Sequence, residues 1–245
     1  MGEPESRSVR AKDSVLEQTV IDLDPNSRET RATGEGEEVL FVVAGEGELR
    51  VPGERHALEP ETGASLAPGE EYELHNSGEI PMRVVSVRIP DPEPASPGQR
   101  PVAAAPGESR ATVRRLGDQN AQAATSERWF RIVSDPDTGL RSATHFVGYI
   151  PTERAPEHFH TYDEVIYVLD GEGAFHANGE TIALTAGSTI ELPARTVHCL
   201  ENTGPDVMRL VAVFRPAGSP AAAYYPDGTP AYPGTPQLTT PNTQY

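Results

Sequence analysis

The stretch Pro156-Glu157-His158-Phe159-His160-Thr161-Tyr162-Asp163-Glu164 decides how the rest of the chain is read. It carries two histidines two residues apart, a carboxylate four residues further on, and then the apolar run Val165-Ile166-Tyr167-Val168-Leu169. Side chains on a β-strand alternate between faces, so a strand here points His158 and His160 the same way. Two imidazoles and a carboxylate on one face are the donors of a divalent-metal cluster, and His198 downstream is the candidate to complete it.

Composition sets what can contain such a cluster. The chain has 245 residues, enough for one large β-domain or two small ones with a real core. Hydrophobic residues make up 36%, with 22 glycines and 24 prolines, which suits short strands and many turns rather than long helices. A formal charge of −17 argues against a nucleic-acid partner. Cys199 is the single cysteine, so no internal disulfide forms, consistent with a reducing compartment. The opening residues MGEPESRSVRAKDS have no apolar signal-peptide core, and no run reaches membrane-spanning length. The expectation is a cytoplasmic protein with no membrane and no nucleic-acid contact.

Taken in order, residues 1–13 are charged and unpatterned and read as a mobile arm. Residues 15–23 suit an edge strand and 38–43 (EVLFVV) a strong strand, closed by Gly45-Glu46-Gly47. A hairpin ladder continues through 48–51 and the Pro52-Gly53 turn, and 83–89 alternates as a half-buried strand should. Proline-dense residues 90–109 cannot pair in a ladder and read as an extended linker. Beyond it, residues 129–133, 144–150, 164–169, 173–177, 181–184, 197–200 and 208–214 read as strands. The expected layout is a first domain at 14–90, a linker at 91–110, a second domain at 111–216 and a tail at 217–245. The tail reads as either disordered or draped over a barrel, with Tyr224, Tyr225 and Tyr232 suiting the second.

The two halves repeat each other. EVLFVVAGEGELRVPGERHAL from Glu38 lies over EVIYVLDGEGAFHANGETIAL from Glu164 without a gap, at an offset of 126 residues, with about half the positions identical. The same offset sets Asn76 on Asn202 and Met82-Arg83 on Met208-Arg209. Applied to the suspected donors, it sets His158 on Ala32, His160 on Gly34 and His198 on Tyr72, while the acid persists as Glu38. The first copy keeps the scaffold and lacks every imidazole, so it is not expected to bind metal.

With these residues in hand, the second half resembles the cupin family. Its first motif is matched by Gly148, His158, His160, Glu164 and Gly171, and its second by Gly187, Pro193, His198 and Asn202, with Arg195 where the family usually has glycine. The resemblance implies an all-β chain of two tandem barrels of jelly-roll (double-stranded β-helix) type, a bicupin. It implies that His158, His160, Glu164 and His198 hold one divalent transition metal per chain. Fe(II) or Mn(II) is favoured, with Ni, Cu and Zn compatible with the donor types. Four protein donors leave an octahedral shell two open positions, as a catalytic site requires. His145, His176 and Tyr162 are the candidates to orient a ligand or meet substrate. Ile166 and Val168, which share the parity of Glu164, are expected to line an apolar cavity, Trp129, Phe130, Phe146 and Tyr149 to be core, and Cys199 to be a packed thiol.

Three functions are weighed for a small-molecule substrate. The favoured one is a dioxygenase-type oxidoreductase built on the three-His one-Glu centre, with a nearby carboxylate or histidine moving protons. The second is redox-neutral chemistry by an isomerase, decarboxylase or hydrolase, as in cupins resembling ureidoglycine aminohydrolase. The third is a non-enzymatic binding or storage protein, as in the seed globulins. A homodimer through sheet edges is also considered.

Overall fold

The structure is a computed structural model that describes residues 8–9, 15–90, 111–151 and 154–238. The first half carries β1 (Ser8–Val9), β2 (Glu17–Leu23), β3 (Arg28–Ala32), β4 (Glu37–Ala44), β5 (Gly47–Val51), β6 (Glu54–Leu58), β7 (Thr62–Leu66), β8 (Glu71–His75) and β9 (Met82–Ile89). The second carries β10 (Thr112–Arg115), β11 (Ala121–Ala123), β12 (Trp129–Ser134), β13 (Thr144–Ile150), β14 (Asp163–Asp170), β15 (Glu172–Ala177), β16 (Glu180–Thr185), β17 (Thr189–Leu192), β18 (His198–Asn202) and β19 (Met208–Arg215). One 3-10 turn, Leu116–Asp118, interrupts the β-structure. No helix among the described residues is long and apolar enough to cross a membrane.

Each half folds as two facing sheets. The first pairs a sheet of order β10-β7-β4-β9-β2 with one of order β3-β8-β5-β6; the second pairs β1-β17-β14-β19-β13-β12-β11 with β16-β15-β18. The repeat is visible strand by strand, since β14 and β19 begin and end 126 residues after β4 and β9. The ladder irregularity between Val42 and Ala44 also recurs between Val168 and Asp170. Asn76 Nδ2 donates to the carbonyls of Leu23 and Ile80, and its Oδ1 accepts from Gly78 N. Asn202 does the same with Ile150, Asp206 and Gly204. The glycine closing each long strand is required by space as well as by φ. Gly45 (φ 75°) and Gly171 (φ 92°) lie against the backbone of Met82 and Met208, where a Cβ would come within 2.6 and 2.8 Å of a Cα.

The continuous apolar run of β4 is explained by burial on both faces. Leu40 and Val42 point into the first barrel with Leu49, Leu66, Leu74 and Met82. Val39 and Phe41 point outward into a seam shared with Val165, Tyr167, Val211 and Val213 of the second barrel. The seam also buries Glu37 completely, and its carboxylate accepts from the backbone N–H of Arg141 (2.6 Å), and from the N–H (3.2 Å) and hydroxyl (3.0 Å) of Ser142. The barrels are thus joined by an apolar layer with one buried, hydrogen-bonded carboxylate inside it, and Arg209 of β19 also pairs with Glu61 of the first barrel.

Several expectations are corrected. β10, expected in the domain at 111–216, adds antiparallel to β7 of the first barrel, while β1, in the segment read as a mobile arm, adds parallel to β17 of the second. Each barrel's larger sheet is thereby extended beside equivalent strands by chain from outside the repeat. β3, β7, β8, β11 and β17 were not picked out individually, being short or without clear alternation. The expected linker at 91–110 lies outside the described residues. Removing the Glu37 carboxylate orphans buried donors on the other barrel. Glu37→Ala should therefore cost about 2–3 kcal/mol of unfolding free energy, read as a lower midpoint in urea, whereas an unchanged midpoint would show that the seam does not depend on it.

Candidate metal centre

The histidine stretch is not a continuous strand but a crossing held by two bridges. His158 and His198 exchange reciprocal backbone hydrogen bonds (3.0 and 2.9 Å), and Phe159 and Tyr224 do the same (2.8 and 3.0 Å). The Phe159 ring stacks on Tyr224 of the tail, with centroids 5.5 Å apart. Phe159 is thereby drawn to one side, and strand-like alternation sends His158 and His160 to the other. Arg195 N donates to the His160 carbonyl (2.7 Å), from a left-handed backbone (φ 66°) at the position where a glycine was expected. The turn is kept despite the missing glycine, at a local cost of about 1 kcal/mol.

Each imidazole is fixed through Nδ1 by a backbone carbonyl: His158 by Pro156, His160 by Ala222 and His198 by Thr196, all at 2.9 Å. A carbonyl only accepts, so Nδ1 carries the proton and Nε2 keeps its lone pair. The candidate donor atoms of the three histidines lie within 4.8 Å of one another. Burial pushes all three pKa values down, His160 to about 3, so the rings are neutral at pH 7. Glu164 lines the same cavity beside this group, 5% exposed. No cation or hydrogen-bond donor among the described residues pairs with it, and burial alone pushes its pKa up to about 8.

The cavity above these groups has a volume of about 80 Å³, small against pockets that take drug-sized ligands. Phe130, Phe146, Leu210 and Phe214 form much of its wall, and Pro220 and Ala223 of the tail close part of it. Ile166 and Val168, expected in the wall, pack in the barrel core instead. Tyr162 lies against the site: its ring stacks on His160 (5.1 Å), and its hydroxyl donates to the carbonyls of Ser219 and Ala222. His145 and His176 do not reach it. His145 is buried at the seam, edge-on to Phe41, and His176 faces away, bonded to Thr181 and Glu201. Cys199 is buried, with Arg154 Nε 3.3 Å from its sulfur. Two contributors were missed: the Ala222 carbonyl, because a proline-rich tail gives no register, and Arg128, because it precedes the matched repeat.

The first barrel shows what replaces the missing imidazoles. Glu38, the counterpart of Glu164, is fully buried, and Arg31 Nη2 donates to it at 3.2 Å while Arg31 Nε donates to the Tyr72 hydroxyl at 2.9 Å. Ser86 donates to the same carboxylate at 2.6 Å. A guanidinium supplies the positive charge beside this acid.

The Cupin domain family matches residues 19–88 and again 145–214, two segments set 126 residues apart at both ends. The chain belongs to the cupin family. It is 32% identical over 83 residues to Polyketide synthase CurC of Streptomyces cyaneus, covering 33% of this chain and 54% of that one. It is 38% identical over 51 residues to the Oxalate-binding protein of Thermotoga maritima, covering 21% and 42%. The chain thus spans about half or less of the curated relatives it matches. Its fold is also that of a deletion mutant of Bacillus subtilis oxalate decarboxylase, with a TM-score of 0.62 and 12% identity over 83% of this cupin and 70% of that chain.

The pKa directions set how a divalent ion would enter this cupin. The histidines are already neutral at pH 7, whereas Glu164, raised to about 8, holds a proton that an ion taking this carboxylate would displace. Calorimetric titration with Mn(II) in buffers of different ionisation enthalpy should show about one proton released per ion at pH 7, falling toward none above about pH 9. Release that grows with pH would contradict the assignment.

Proposed function

We propose that the second barrel is the working half of a metal-dependent enzyme acting on a small organic molecule, and that its reaction is of dioxygenase type. The observation that carries this reading is the donor set itself: three neutral imidazoles with free Nε2 atoms beside a buried carboxylate that lacks a cation. These groups fit one divalent transition metal held by His158, His160, Glu164 and His198, with Fe(II) or Mn(II) ahead of Ni, Cu and Zn. When bound, such an ion supplies Lewis acidity and, where redox-active, electrons for dioxygen.

The chain's own part is orientation of the donors and an apolar wall beside them. Carbonyls of Pro156, Thr196 and Ala222 hold the imidazole tautomers, and Phe130, Phe146 and Phe214 give the cavity an apolar wall on one side of the donors. Beyond the four donors, no carboxylate or histidine among the described residues lines the cavity. The preference for oxygenation rests on the three-His one-Glu donor set, since a metal-bound water can replace a side-chain base in hydrolysis and the lining does not separate the classes. The same lining leaves the expected proton-moving carboxylate or histidine without a candidate. The name of the oxalate-binding relative speaks for a small-molecule ligand and for the binding alternative. A storage role is disfavoured by an assembled site in one barrel beside a substituted one in the other.

Purified protein should carry about one divalent ion per chain, and His158→Ala should abolish loading while leaving the circular dichroism and most of the thermal stability in place. Two ions per wild-type chain would defeat the asymmetry between the barrels. For the reaction class, the Fe(II)-loaded protein should consume oxygen with a small organic substrate and give a nitrosyl adduct. Turnover under strict anaerobiosis would move the protein to the redox-neutral class.

A further inference from the structure

Arg128 enters the wall of the metal cavity from outside the repeat. It precedes β12, at the end of a tight turn closed by Arg128 N donating to the Thr125 carbonyl, with Ala124 N donating back to the Arg128 carbonyl at 2.8 Å. Both central residues of that turn, Ser126 (φ 56°) and Glu127 (φ 57°), are left-handed without being glycine, a conformation that persists only where surrounding structure holds it. The turn sets Arg128 in the wall of the cavity that His158, His160, Glu164 and His198 also line, with its charge felt at His158 and His198.

The guanidinium is under-used where it lies. Nη2 donates to the Leu200 carbonyl, Nε is enclosed without a partner, and no carboxylate among the described residues pairs with it. Burial pushes its pKa down to about 10, so it remains a cation at neutral pH, close enough to hold the His158 and His198 pKa values down further. A divalent ion on three neutral imidazoles and one carboxylate adds net positive charge to the same small space. A cation enclosed this way, with donor capacity to spare, is stabilised by an anion and left uncompensated by a neutral ligand.

We propose that Arg128 is the substrate-anchoring residue of this cupin and that the substrate is a small organic acid, its carboxylate held by the Arg128 guanidinium while the rest of the molecule faces the metal donors. Trp129 and Tyr149, stacked with ring centroids 5.3 Å apart, line the same cavity and give the organic part a flat wall. This deepens the metal-enzyme reading and rests on it for the second point of attachment.

The test is calorimetric titration of pyruvate and of its neutral amide, pyruvamide, into Mn(II)-loaded and metal-free protein, with Arg128→Gln and Arg128→Lys alongside. Pyruvate should bind the loaded wild type. Arg128→Gln should weaken it about ten- to hundredfold, and Arg128→Lys, which keeps the charge but loses the fork, should fall between. Metal content and pyruvamide binding should stay unchanged in both variants, which a merely structural role would not allow. Normal loading with pyruvate binding indifferent to Arg128, or none, would overturn the anchor and leave the metal reading standing. Failure to load, with Arg128-dependent pyruvate binding to metal-free protein, would overturn the metal reading and sustain the anchor. Failure of both removes both.

Discussion

Three backbone carbonyls, those of Pro156, Thr196 and Ala222, each take the Nδ1 proton of one histidine. That constraint governs the site. It fixes the tautomer, aims three Nε2 lone pairs into one small volume, and makes the geometry a property of the backbone rather than of rotamer preference. Each carbonyl is positioned by the fold. Those of Pro156 and Thr196 each lie two residues before their histidine, next to the reciprocal His158–His198 bridge, and that of Ala222 is held by the tail paired through Tyr224 to Phe159. The C-terminal segment is therefore part of the site and not a trailing end.

The same fold answers the question of buried charge differently in its two copies. In the first barrel Arg31 reaches in beside Glu38 and closes the account with a guanidinium. In the second, Glu164 has no such neighbour, and its pKa rises under burial. A carboxylate at equivalent positions is structural in one barrel and poised in the other, because the Arg31 and Ser86 that bond Glu38 have no counterpart on Glu164 among the described residues.

The bicupin frame was legible from sequence because a constant offset of 126 residues carries Gly45 onto Gly171, Asn76 onto Asn202 and Glu38 onto Glu164. Those positions read out of the chain as identities at one offset, although the glycines and asparagines are held by distant partners: the glycines lie against the backbone of Met82 and Met208, and the asparagines bond the carbonyls of Leu23 and Ile150. His158 and His160 were legible through spacing, since alternation places residues two apart on one side even across a stretch held only by bridges, and His198 through its place in the second motif. His145 and His176 misled because a strand histidine carries no mark of which sheet face is the cavity. One faces the seam, the other the opposite side of its sheet.

By itself, the sequence determined two copies of one β-barrel and the asymmetry of their donors, since strand periodicity, turn glycines and residue identity are local properties. Only the tertiary structure decided the rest: the exchange of β1 and β10 between barrels, the Glu37 seam, the Ala222 carbonyl on His160, Arg31 in the first barrel and Arg128 in the second. Each depends on segments far apart in the chain meeting across a barrel wall. No local pattern encodes such a meeting, because its energy arises only when both sides are already folded.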